Sequence, residues 1–405
     1  MSDLFWPGDD RASDHLTGES FLGALVAVEE AWLDLLVDHG IAPEAARHGF
    51  DVDPGHLASV AADADLAGNP VPAVLTLLRE RPDTPPDAAH WLHRGLTSQD
   101  VVDSALMLLA QQAVADVLVD LCRQVERLSA LAVTHRTTPM VARTLTQHAV
   151  PTTFGLVAAT WLTAVLDAHE ALSGVRFPVQ VGGAAGTLAG PLEVGLDDPL
   201  AAAAELAQRL GLDASLPWHT SRSPVTRLGD ALVAGTDAWG RLAGDVLTLC
   251  RPEIAEVSLA ATGGSSTMPH KANPVLAVLV KRAALTTPAL ASTLHLCATT
   301  AVDQRPDGAW QAEWATLRDL LRRTLTAAAH TTDLLHGLRV DADRMAQTLA
   351  AATDGVHAEQ RSLAAVAGHE PSGDYLGQAT AIVDAVVERA RAVTSPLATG
   401  QETPR

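Results

Sequence analysis

The chain has 405 residues, 47% of them hydrophobic and 19% charged, which excludes a mostly disordered protein and is ample for a sizeable core spread over two or three domains. The formal net charge of −20 argues against general nucleic-acid binding. Ala and Leu dominate while aromatic residues make up 3%, so good helix formers outweigh strand-favouring types and a mostly helical fold is expected.

The N-terminus, MSDLFWPGDDRASDHL, is acidic and lacks a basic segment followed by an apolar one. No stretch reads as long and apolar enough to span a membrane without Gly, Pro or charge, so a cytoplasmic protein is expected. Residues 17–39 read as an amphipathic helix with Leu25, Val28, Trp32 and Leu36 at helical spacing and Gly40 at its C-terminal end. Residues 63–90 carry Pro70, Pro72, Pro82, Pro85 and Pro86 and read as loop around one short helix near 73–80. A long helix then starts after Thr97, which has capping-box spacing to Asp100, and runs to about residue 134.

Its apolar positions Val114, Leu118, Leu121, Val125 and Leu128 step by four and three, as in helices packed nearly parallel in a bundle. Leu228, Leu232, Gly235, Trp239, Leu242, Val246 and Leu249 repeat that seam. Further helices are expected over 153–173, from Pro274 with a kink at Pro288, and over about 312–335. Beyond residue 337 the helices shorten, and a break falls between Gly368 and Gly373. Cys122, Cys250 and Cys297 form no CxxC and read as buried free thiols.

The segment Gly263-Gly264-Ser265-Ser266-Thr267-Met268-Pro269-His270-Lys271-Ala272-Asn273-Pro274 is a polar loop feeding a helix N-terminus. It holds one of the two lysines in the chain, and backbone amides at a helix start favour an anion. An ordinary Gly/Ser linker is an equal reading from composition alone. A metal pair at His90 and His93 finds no third ligand nearby in sequence.

SSTMPHKAN resembles the signature of the fumarase/aspartase superfamily, and other blocks resemble that family in the same order. These are His93-Arg94-Gly95-Leu96-Thr97-Ser98-Gln99-Asp100, Arg143-Thr144-Leu145-Thr146-Gln147 and the glycine turn Gly182 to Thr187. ARTLTQHAVPTTFGL, LPWHTSR, MPHKANPVLAVLV and GAWQAEW are similar to the 3-carboxy-cis,cis-muconate cycloisomerase branch. The resemblance covers roughly residues 17–350.

It implies an all-α fold with a long central five-helix bundle, 97–336, flanked by smaller helical domains, 1–96 and an apparently shortened 337–405. It also implies a homotetramer whose active sites are shared between subunits, and a small di- or tricarboxylate substrate. No cofactor, metal, nucleic acid or membrane is implied. The implied reaction makes or breaks a bond β to a carboxylate through an aci-carboxylate, whose growing charge the protein must stabilise.

By resemblance Ser265 is the base and Lys271 stabilises its alkoxide. Lys271 and Asn273 hold a substrate carboxylate, helped by Ser266 and Met268 of the same loop. Thr97, Ser98, Thr144 and Gln147 bond carboxylate oxygens, and His93, Arg143 and Arg305 complete the binding set. Arg143 is a bidentate carboxylate binder or an ion-pair partner within the fold.

Two departures bear on the reaction. Lyases of the family often carry a histidine acid where Leu145 stands, and fumarases pair it with a glutamate where Val278 stands. A leaving amine or hydroxide needs a proton donor, whereas a carboxylate needs less help. The expected function is therefore a cycloisomerase of aromatic catabolism through protocatechuate. A β-elimination lyase releasing fumarate from a succinate derivative, or a non-catalytic homologue, is the alternative. Gln311, where that branch has histidine, favours a diverged substrate.

Overall fold

The computed structural model describes residues 3–260, Gly263, Met268 and 271–394. It is mostly helical, as the composition predicts. The helices that matter for the site are α1 (Gly18–Asp38), α2 (Ser98–Thr134), α3 (Phe154–Ser173), α4 (Ser223–Leu249), α5 (Val275–Thr299) and α6 (Ala309–Gly337). Thr17 caps α1 by accepting Ser20 N–H at 3.1 Å. Gly40 takes φ 69° just past its end. α5 continues through Pro288.

The chain folds as two compact units. The first holds Met1–Asp116, Gly174–Leu232 and Thr287–Thr326. Its core includes Leu25, Val28, Trp32 and Leu36 of α1, Val101 and Ala105 of α2, Leu228 and Leu232 of α4, and Leu317 and Leu320 of α6. Burying each leucine there contributes about 1.5–3 kcal/mol. Trp32 also donates from Nε1 to Arg94 O at 2.7 Å, which ties α1 to the segment entering α2.

The second unit holds Val117–Ser173, Val233–Thr286 and Ala327–Arg405. Leu121, Val125 and Leu128 of α2 and Trp239, Leu242 and Val246 of α4 are buried in it, as the heptad seams require. Gln124 crosslinks this apolar core. It donates to Ala328 O and Thr332 Oγ1 of α6 at 3.0 and 3.1 Å and accepts from Trp239 Nε1 at 2.7 Å.

The same unit carries two short antiparallel pairs. β1 (Pro139–Thr144) pairs with β2 (Gln147–Thr153), and β3 (Val257–Leu259) pairs with β4 (Leu338–Val340). The sequence reading held no strands here. Met140 and Val141 are buried consecutively and a bulge follows, so no two-residue alternation shows. Gly155 permits the tight return after β2, because a Cβ there would sit 2.6 Å from Arg136 Cα.

Three further expectations change. Residues 63–90, read as loop around one short helix, lie mostly in three helices, Leu57–Ala67, Val71–Glu80 and Pro86–Trp91. α2 and α5 are both long and apolar enough to cross a membrane by length and composition, where the sequence reading expected none. Half of the apolar window of α2 is buried inside the protein, and core helices pass the same test. Only Cys297 is buried; Cys122 and Cys250 are half-buried, and all three are free.

Candidate active site

In the first unit, the block around Thr97 is built on Asp100. Thr97 N–H donates to Asp100 Oδ2 at 3.0 Å, which is half of the expected capping box. The rest of the carboxylate gathers the glycine turn. Gly183 N–H reaches Oδ2 at 2.9 Å, and Gly182 N–H and Gln180 Nε2 reach Oδ1 at 2.8 and 3.1 Å. Burial pushes the Asp100 carboxyl up to about 6, while these four donors pull it down.

Arg305 closes the cluster by donating from Nη2 to Thr97 Oγ1 at 2.9 Å and to Ala184 O at 3.3 Å. Ser98 opens α2 and is half-buried. His219 lies against Gly186, whose φ is 76° and where any Cβ would collide with the imidazole. Its backbone is fixed by Gln99 Nε2 donating to His219 O at 2.8 Å. Burial and then Arg305 hold the His219 ring below the ordinary histidine range. His93 places Nδ1 2.6 Å from Glu29 Oε1.

Behind this cluster lies an ion network that the sequence reading missed. Arg222 bonds Asp103 at 2.7 and 3.1 Å and Glu313 at 2.6 Å, all three buried. Trp310 Nε1 adds a bond to Asp103 Oδ1 at 2.9 Å. Trp310 and Glu313 are thus both hydrogen-bonded within this buried network. The signal was available in part, since Asp103 stands one turn after Asp100 in a stretch, residues 98–115, that carries no other charge.

In the second unit, Arg143 sits on β1 with its guanidinium fork filled by Glu256, at 2.9 and 2.8 Å. Glu256 has no exposed surface. Of the two readings of Arg143, the internal ion pair is the one observed. Thr144 and Gln147 are the last paired residues of the β1–β2 hairpin and are exposed. Gln147 Nε2 donates to Thr146 Oγ1 at 3.2 Å. Beside the hairpin opens a cavity of about 790 Å³ lined by Arg143, Thr146, His148, Arg251, Arg344 and Gln347 among others.

The signature segment is closed at its base. Gly263 and Asn273 exchange both backbone N–H···O bonds at 3.0 Å, and a Cβ at Gly263 would collide with Val275. Lys271 N–H donates to Met268 O at 3.0 Å, and both side chains are exposed. Ser265 and Ser266 lie outside the described residues. The expected site residues thus fall in two groups. His93, Thr97, Ser98 and Arg305 belong to the first unit, and Arg143, Thr144, Gln147, Met268, Lys271 and Asn273 to the second.

The model of a lyase family matches residues 57–286. The chain is 43% identical to the nitrosuccinate lyase of Streptomyces davaonensis, over 82% of this chain and 73% of that one. It is 39% identical to a 3-carboxy-cis,cis-muconate cycloisomerase of Bradyrhizobium diazoefficiens, over 75% of this chain and 68% of that one. Among solved structures, the 3-carboxy-cis,cis-muconate lactonizing enzyme of Pseudomonas putida superposes with a TM-score of 0.79 at 29% identity. That match covers 95% of this chain and 97% of the other.

Proposed function

The chain is an enzyme that belongs to the fumarase/aspartase superfamily, and from this premise we propose that it eliminates nitrite from a nitro-substituted succinate to give fumarate. Ser265 takes the proton α to a carboxylate, with Lys271 and Asn273 bearing the aci-carboxylate charge. The C–N bond then breaks, and its electron pair leaves with nitrite. The observation that carries this reading is that Leu145 and Val278, both apolar and exposed, stand where the family's lyases often have a histidine acid and its fumarases the glutamate paired with it. Nitrite is a weak base and departs without a proton donor. The similarity to nitrosuccinate lyase, over 82% of the chain, supports nitrite over other leaving groups.

The cycloisomerase reaction, which the sequence alone ranks first, is the second reading. A carboxylate is an equally undemanding leaving group, and the 39% identity to a cycloisomerase supports it. The homotetramer with shared sites, the cytoplasmic location and the three-part division at residues 96 and 336 belong to the same proposal. The test offers nitrosuccinate and 3-carboxy-cis,cis-muconate separately, measuring nitrite and fumarate in the first case and loss of the diene absorbance in the second. Release of nitrite and fumarate in equal amounts, lost in Ser265→Ala, is expected. Consumption of the muconate alone would establish the second reading, and inertness toward both would sink both.

A further inference from the structure

Glu29 stands on α1 among Leu25, Val26, Val28, Trp32 and Leu33, with no exposed surface. A carboxylate in such a place is costly unless it is paired. Its Oε1 meets His93 Nδ1 at 2.6 Å, and its Oε2 is buried with no hydrogen bond among the described residues. Arg79 acts on it through charge, but the hydrogen bonds of the neighbouring cations go to backbone carbonyls. Arg79 donates to Ala89 O and Leu92 O, and Arg94 donates to His90 O.

His93 is held with equal firmness. Its φ of 66° lies in the left-handed region, which is strained for a non-glycine residue and persists where the surroundings enforce it. Trp32 grips the next carbonyl along, that of Arg94, at 2.7 Å. A hydrogen bond that Glu29 Oε1 accepts puts the proton on Nδ1 and makes Nε2 the ring nitrogen that Glu29 does not hold. The side chain is 18% exposed, and no described residue bonds Nε2. Four residues on, Thr97 takes the hydrogen bond from Arg305.

We propose that Glu29 is a positioning residue that acts through His93: it holds Nδ1–H while Nε2, protonated from solvent as a dicarboxylate binds, makes a hydrogen bond to a carboxylate oxygen and keeps the proton. The buried glutamate then balances the imidazolium, as a buried acid does behind a catalytic histidine. No bond to carbon changes in this step, and the proton returns to solvent when the ligand leaves. The inference rests on the proposed dicarboxylate substrate.

Fumarate binding is measured by calorimetry at mildly alkaline pH in buffers of different ionisation enthalpy, which counts the protons taken up. The wild type is expected to take up protons as fumarate binds, up to the one that a single imidazole can hold. Glu29→Gln should take up almost none and bind roughly tenfold more weakly, the order of one charge-assisted hydrogen bond. Should Glu29→Gln fail to fold, ¹⁵N-histidine spectra of the wild type, with His93 assigned through His93→Gln, carry the test. They should show Nδ1 protonated in the free enzyme and both nitrogens protonated with fumarate. Fumarate binding without proton uptake, or uptake that survives in Glu29→Gln, would overturn the inference. No fumarate binding by the wild type would instead overturn the functional reading and remove the His93 contact with it.

Discussion

Asp100 accepts four N–H donors, and an asparagine in its place takes an acceptor from two of them. Whichever way the amide turns, its NH₂ faces either Gly182 N–H and Gln180 Nε2 or Thr97 N–H and Gly183 N–H. Each buried donor left unsatisfied costs about 1–3 kcal/mol. Asp100→Asn is therefore expected to lower the unfolding free energy by about that amount twice over, read by urea denaturation. A loss below about 1 kcal/mol would mean that the turn finds other acceptors. At this scale the sequence shows half of what matters. The Thr97–Asp100 spacing exposes the cap, but the other three donors arrive from about eighty residues further on. Arg143 follows the same rule. Its type and motif suggest a substrate anion, and only the fold brings Glu256 to it from 113 residues away.

The β1–β2 hairpin closes through Leu145 and Thr146 alone, since Thr144 pairs directly with Gln147. Both turn residues have positive φ, 48° and 69°. A two-residue turn of that kind prefers Asn-Gly, whereas Leu145 is 95% exposed and gains no packing there. The double change Leu145→Asn, Thr146→Gly should relieve about 1–2 kcal/mol of left-handed strain per residue and raise the melting temperature. If the turn also shapes the site, kcat/KM falls as stability rises; an unchanged melting temperature would show that the strain is compensated elsewhere. The hairpin escaped the sequence reading because neither turn residue is a turn former and the bulge hides the alternation. The long helices were legible for the opposite reason. α2 and α4 carry repeated seams whose period is visible without any partner, and both ends of α2 fall where they are expected.

At the scale of the whole molecule, α5 is the element whose sequence least suits an isolated chain. Val275, Val278, Leu285 and Leu296 are 38%, 52%, 73% and 63% exposed. At about 100° per residue these four fall within roughly 80° of arc, a stripe and not a scatter. An exposed apolar stripe of this length marks an interface, and the proposed tetramer supplies one. Leu285→Glu combined with Leu296→Glu should shift sedimentation toward the monomer while far-ultraviolet circular dichroism stays helical, and activity should fall with the assembly. A second measurement separates assembly from damage to a single site. Ser265→Ala and Thr97→Val each disable one of the two residue groups, and mixed refolding of the two inactive variants should restore part of the activity if subunits share their sites. Recovery requires that the group around Thr97 in one chain work with the loop of another. Mixed assemblies that form but stay inactive would mean that each chain completes its own site.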